Sequence, residues 1–154
     1  MPIREYLLPL YNFWPVFFFS GIKIIKKSKD FRYAKVRLKL RFWTANFVGT
    51  QYGGSMFSMT DAFYMVMLIK NLGPGYSIWD KAATIRYLKP GKTDVFAEFN
   101  LSQQDLDEIK KTVEANGKME WIRKVEILNT EGELIAEVER TLSIKKKVIP
   151  AYTC

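Results

Sequence analysis

The chain has 154 residues, 48% hydrophobic and 26% charged, a balance that favours one folded domain over 1–154 and excludes a disordered chain. Its formal net charge is +8, so the surface attracts polyanions: nucleic acid, anionic lipid headgroups or the phosphates of a nucleotide group. It has no histidine and one cysteine, Cys154, which excludes Ser-His and Cys-His catalysis, an internal disulfide and any site built on His or several Cys ligands. No metal is expected, and acid–base chemistry falls to Asp, Glu, Lys, Tyr or bound water. A lone cysteine fits a reducing compartment, and a cytoplasmic location is the expectation.

The chain opens on an apolar stretch, Tyr6 to Ile22, that carries Phe17-Phe18-Phe19. Pro9, Asn12 and Pro15 interrupt it, and it is shorter than the roughly 20 residues that span a bilayer. Residues 1–20 therefore read as an apolar helical extension, a short helix pair packed on the domain or its neighbour. A signal peptide ending near Ser20-Gly21 is the competing reading.

Residues 21–29 read as a first strand, closed by a polar turn at 28–30. Val36, Leu38, Leu40 and Phe42 then alternate with Lys35, Arg37, Lys39 and Arg41, which puts apolar groups on one strand face and cations on the other. A glycine-punctuated loop runs to Gly53-Gly54, and the segment 54–70 is apolar nearly all round, the pattern of a helix buried in a core. Gly73-Pro74-Gly75 ends it. Residues 78–88 suit a strand, Lys89 to Lys92 a turn, and 93–101 another strand. Ser102, with Asp105 three residues on, caps a charged, exposed helix over about 103–115 that Asn116-Gly117 stops. Two long strands joined by a hairpin at 129–132 finish the chain. The expected class is α+β: an antiparallel sheet of about six strands curled around one apolar helix, with edges that pairing between subunits can cover.

Asp61 is the only side chain charged at neutral pH between Ser55 and Ile69. A carboxylate there must be paired, hydrogen-bonded, protonated or facing a pocket, and such groups concentrate at functional sites. The plainer reading is an Asp accepting hydrogen bonds from a neighbouring loop. Gly53-Gly54 opens the same segment. The first amides of a helix lack internal partners, and glycine lets a ligand carbonyl approach them, the geometry of an oxyanion site; a tight loop-to-helix turn explains the pair equally well.

Asn46-Phe47-Val48-Gly49-Thr50-Gln51-Tyr52-Gly53-Gly54, with Asp61 beyond, resembles the signature of hot-dog-fold thioesterases of the phenylacetate-degradation type: Asn, then Gly, then His-Gly-Gly, then a helix with an Asp. Ile85 to Gly91 resembles that family's strand and turn. The likeness runs from about 21 to 147 and is strongest to an uncharacterised, thioesterase-like branch with an added apolar N-terminus. It implies the hot-dog fold and an acyl-CoA thioesterase whose site is shared across a dimer or a tetramer of dimers. Asp61 from the facing subunit would be base or nucleophile, the Gly53 and Gly54 amides would hold the oxyanion, and Asn46 would position the water or carbonyl. Tyr52 stands where the family has His; it donates one hydrogen bond but does not titrate near neutral pH. That substitution keeps open a non-catalytic acyl- or lipid-binding protein on the same fold. A dehydratase of this fold, which pairs Asp with His, is disfavoured.

No separate cofactor is implied; coenzyme A enters as part of the substrate. Lys81, Arg86, Lys89 and Lys92 would meet its phosphates, unless they form only a general cationic face and Asp80-Lys81 a local ion pair. The charge alone also fits a nucleic-acid binder, but no recognition motif is present, and none is expected as partner. The aromatic N-terminus reads either as core, as an acyl tunnel or as a patch that contacts a membrane surface.

Overall fold

The computed structural model describes residues 11–147. Pro15–Ser20 form a short helix, α1, with proline in its first turn, where a missing N–H costs nothing. Gly21 ends it in the left-handed region at φ 80°, its N–H donating to the carbonyls of Phe17 and Phe18. Phe17 stacks on Phe63 of the core at 5.9 Å. The other member of the expected N-terminal helix pair, and Cys154, lie outside the described residues.

Six strands build one antiparallel sheet, as the alternation predicts. They are β1 (Ile22–Lys27), β2 (Tyr33–Leu38), β3 (Tyr76–Tyr87), β4 (Val95–Asn100), β5 (Lys118–Asn129) and β6 (Leu134–Lys146), in the order β1-β2-β4-β5-β6-β3. Ala34, Val36 and Leu38 of β2 and Val95, Ala97 and Phe99 of β4 point to one buried face, which is the period-two pattern read from the chain.

The apolar segment that fills this sheet is two helices rather than the single one expected over 54–70. They are α2 (Gly53–Ser58) and α3 (Phe63–Leu72). At the joint, the Thr60 hydroxyl donates to the Phe57 carbonyl at 2.8 Å. The Thr60 and Asp61 amides reach back only three residues, to Phe57 and Ser58, each at 3.1 Å. Ala62, at φ 13° and ψ −28°, leaves helical geometry. A side-chain hydroxyl competing for backbone carbonyls is a local alternative to helix that hydropathy does not register. α3 packs its first turn on the sheet, with Phe63 stacked on Phe99 at 4.6 Å and Tyr64 edge-on to Phe99 and Trp121.

The charged helix, α4 (Gln103–Asn116), has the expected capping box between Ser102 and Asp105. It is not exposed all round: Leu106, Ile109 and Val113, at three- and four-residue spacing, are buried against the sheet. β2 is shorter than its alternation implies. It ends at Leu38, where its partner β1 begins at Ile22. The next amides are taken by the Gly21 carbonyl and the Asp94 carboxylate, so the chain leaves the sheet and Phe42 is 89% exposed.

The two sheet edges differ. The Asn12 side chain accepts from the Ile24 amide at 2.8 Å and donates to the Ile24 carbonyl at 3.2 Å, which occupies the outer edge of β1. β3 runs twelve residues, pairs with β6 on one side, and has no strand on the other among the described residues. An open edge of that length is a template for a second chain. Asn12→Ala leaves the Ile24 groups to water and is expected to lower stability by about 1 kcal/mol, read from the urea midpoint.

Candidate active site

The loop before α2 is built by two amide side chains. Asn46 Oδ1 accepts from the Val48 and Thr50 amides at 3.1 and 3.0 Å, and its Nδ2 donates to the Thr50 hydroxyl at 2.8 Å. The Asn46 side chain is therefore committed to closing the loop at its own back. Gln51, buried to 2% exposure, ties the loop to the sheet: Nε2 donates to the carbonyls of Leu38 and Thr93 at 3.1 and 3.0 Å, and its amide donates to Gly91 at 2.8 Å. A Cβ on Gly91 would lie 2.9 Å from Gln51 Cγ, so only glycine fits the turn that receives it.

This loop, the start of α2 and the turn after β3 enclose an open cleft of about 440 Å³. Asn46, Tyr52, Gly53, Gly54, Tyr87 and Lys89 are on its wall. Tyr52 precedes α2 and gives it no side-chain cap. The first amides that bond within the helix are those of Ser55 and Met56, both to the Tyr52 carbonyl. Among the described residues the Gly53 and Gly54 amides have no hydrogen-bond partner. Rings also lie close against both glycines. A Cβ at Gly53 would lie 2.8 Å from the Tyr87 hydroxyl, and one at Gly54 2.6 Å from the Tyr52 ring. Burial, with the nearby Tyr52 hydroxyl, raises the pKa of Tyr87, so its O–H stays a donor.

Asp61 stands away from this cleft in the same chain. It lies at the joint between α2 and α3, with its side chain 63% exposed, and not inside an apolar helix. Its partner is Arg140, at 2.8 Å. The Arg140 side chain is 3% exposed, and the same Nη1 also reaches Asp80 at 3.2 Å, while Nε meets the Thr60 hydroxyl at 3.4 Å. Phe57 covers the guanidinium plane at 5.3 Å. A cation this deep must be answered by anions, and the two carboxylates come from the helix joint and from β3. Burial raises the Asp80 pKa above its ordinary 3.8; Arg140 opposes the rise and Asp61 adds to it.

Arg140 is the candidate site residue that reading the chain missed. Its signal was present: it falls in step with Ala136, Val138, Leu142 and Ile144, the inward positions of β6. Gln51 and Tyr87 had no such signal, because their roles depend on contacts across the sheet.

The four expected phosphate-binding cations do not converge. Lys89 is on the cleft wall and pairs with Glu133. Lys81 pairs with Glu120 in a separate depression shared with Lys118 and Lys145, and Arg86 faces Glu137 at 3.9 Å. Lys92 is exposed on the turn beyond, without an ion pair among the described residues. No group of His, Cys, Asp and Glu among the described residues is arranged to hold a metal ion.

A six-stranded antiparallel sheet enclosing a helix, with a glycine-opened helix at a cleft, defines the hot-dog fold, and solved structures bear this out. A Pseudomonas aeruginosa protein of unknown function superposes with a TM-score of 0.78 at 17% identity, covering 96% of this chain and 97% of that one. A thioesterase from Haemophilus influenzae superposes at 0.65 with 16% identity, over 96% and 94%. The E. coli PaaI protein from the phenylacetic acid degradation operon does so at 0.63 with 18% identity, over 94% and 93%. The chain itself belongs to the family described as domain of unknown function DUF4442, whose model matches residues 10–144. No curated protein matches it in sequence.

Two measurements test the Arg140 cluster. Asp61→Ala and Asp80→Ala each leave Arg140 one carboxylate, whereas the double variant leaves a buried cation unpaired. The double loss is expected to exceed the sum of the singles and to reach about 3–5 kcal/mol by urea denaturation. A carboxyl whose pKa is raised on folding contributes stability below its unfolded pKa and loses it as pH rises through the folded value. Asp80→Asn removes that loss and keeps an acceptor for Arg140. Its stability relative to the parent should therefore grow as pH rises above 3.8.

Proposed function

We propose that the protein is an acyl-CoA thioesterase acting as a homo-oligomer, with its site completed by a second subunit. The observation that carries this reading is the pair of unpartnered Gly53 and Gly54 amides on the wall of a cleft. The long open edge of β3 supports the second subunit. It also supplies a reason for Asp61 to be exposed and directed by Arg140 rather than sealed in its own core.

In this mechanism the thioester carbonyl oxygen lies against the glycine amides, which stabilise the negative charge that develops there. Asp61 of the facing subunit takes a proton from water as the water oxygen bonds the carbonyl carbon. The tetrahedral intermediate collapses, the C–S bond breaks, and the coenzyme A thiolate receives the proton from Asp61. The products are a carboxylic acid and free coenzyme A. In the variant in which Asp61 is nucleophile, its carboxylate oxygen bonds the carbonyl carbon and the C–S bond breaks, expelling coenzyme A thiolate; water then hydrolyses the mixed anhydride to the carboxylic acid and the Asp61 carboxylate, and the proton released goes to the thiolate. Asn46 serves by holding the loop that aims Tyr52 and the glycines. Of the four cations, Lys89 is placed to meet a phosphate at the cleft mouth, with Lys92 next along the turn; Lys81 and Arg86 would be reached only by a ligand crossing to other parts of the sheet.

Tyr52 favours a second reading, acyl binding without turnover, because a phenol at that position offers a hydrogen bond and no proton exchange near neutral pH. An acyl-CoA hydrolysis panel across chain lengths separates the two. Asp61→Ala should lower kcat/KM by at least about 10²-fold, and Asp61→Asn should still bind acyl-CoA. Full activity in Asp61→Ala excludes Asp61 as base or nucleophile, and absence of turnover in the parent with retained acyl binding establishes the second reading. Light scattering on the parent should give an even number of subunits; a monomer would remove the shared site.

A further inference from the structure

We propose that residues 11–52 form a docking surface for anionic phospholipid bilayers. This segment contains nine Lys and Arg (Lys23, Lys26, Lys27, Lys29, Arg32, Lys35, Arg37, Lys39 and Arg41) against one acid, Asp30. The whole chain has 24 cations and 16 anions, so the other residues hold fifteen of each sign and are neutral together. All of the +8 is in this one segment, about a quarter of the chain. Lys35 and Arg37 are paired, with Glu98 and Asp94, whereas Lys23, Lys39 and Arg41 have no ion pair among the described residues.

The same segment exposes its aromatics. Phe17 turns inward, which leaves Phe18 and Phe19 of α1 outside, in edge contact with each other. Phe42 and Trp43 project where β2 has ended, also edge to face, with Arg41 over the Trp43 ring at 5.2 Å. The two pairs adjoin: Gly21, directly after α1, accepts from the Lys39 amide and lies against Thr44. A surface of Phe and Trp among unpaired Lys and Arg has the composition of a bilayer interface, where rings enter the headgroup region and cations meet anionic lipid. A second copy is a poorer occupant, since each face would bring the same excess of positive charge to the other. Protein interfaces in general are depleted in Lys. Nucleic acid would satisfy the charge but not the exposed Phe18, Phe19 and Val48. No helix among the described residues is long and apolar enough to cross a membrane, so the contact is with the surface.

The inference stands apart from the thioesterase reading and is tested without it. The parent protein is mixed with vesicles of phosphatidylcholine and with vesicles containing phosphatidylserine at a ratio of about 7:3, then sedimented. Binding is expected to the anionic vesicles and to weaken as salt is raised. Phe42→Ser/Trp43→Ser and, separately, Lys39→Glu/Arg41→Glu should each weaken it by about tenfold or more, with subunit number and circular dichroism unchanged. The proposal is overturned if the parent ignores anionic vesicles, or if the aromatic variant binds them as well as the parent. It is equally overturned if that variant changes the subunit number, which makes the surface a subunit interface, or if single-stranded RNA displaces the vesicles.

Discussion

A guanidinium held inside a sheet imposes conditions on everything near it. Arg140 is 3% exposed, and its charge must be met where it stands. Asp61 and Asp80 meet it from two elements that are distant in the chain, one at the joint between α2 and α3 and one on β3. The joint itself is of a piece with this. Thr60, fully buried, turns its hydroxyl both to the Phe57 carbonyl and toward Arg140, and that is where the apolar segment stops being one helix. A continuous helix would remove the break at which Asp61 reaches outward. The cluster therefore couples the position of the candidate base to the register of β3 and β6.

The cleft is organised by a different economy of groups. Asn46 and Gln51 Nε2 satisfy the loop and its neighbouring carbonyls, and the polar groups left without a partner at the cleft include the Gly53 and Gly54 amides and the buried Gln51 Oε1. Tyr87 and Tyr52 lie against the two glycines, and a Cβ at either would make the facing ring shift. The rings come close because the glycines lack Cβ, and the amides are free because the first turn of a helix has no carbonyl behind it. The cleft and Asp61 are separate in one chain, and β3, the strand that holds Asp80, has no strand on its outer side among the described residues.

Charge and apolar surface are distributed as unevenly as the polar groups. Beyond residue 52 the signs balance, and many cations there have partners across the sheet, such as Lys81 with Glu120 and Lys89 with Glu133. Such exposed pairs contribute little to stability; the net positive charge lies in the segment that runs from α1 to the loop after β2, which also carries the exposed rings of Phe18, Phe19, Phe42 and Trp43. That loop continues directly into Asn46, so the most basic and aromatic part of the surface borders the cleft.

The chain by itself determined the period-two strands, the number of strands, the capped helix at Ser102 and the glycine-opened segment before Asp61, because each rests on local spacing or backbone preference. It also determined where the net charge lies. Residue parity on β6 already put Arg140 on the inward face, although a lone arginine among apolar residues reads as noise until its anions are known. The tertiary structure decided the rest. It broke the central helix at Thr60, ended β2 at Leu38 where β1 offered no further partner, and turned Phe42 out to solvent. It committed Asn46 to its own loop and separated Asp61 from the cleft. The helix break and the commitment of Asn46 rest on side chains bonding groups two to four residues away, and the others on contacts between residues far apart in the chain; hydropathy, periodicity and motif spacing are blind to both.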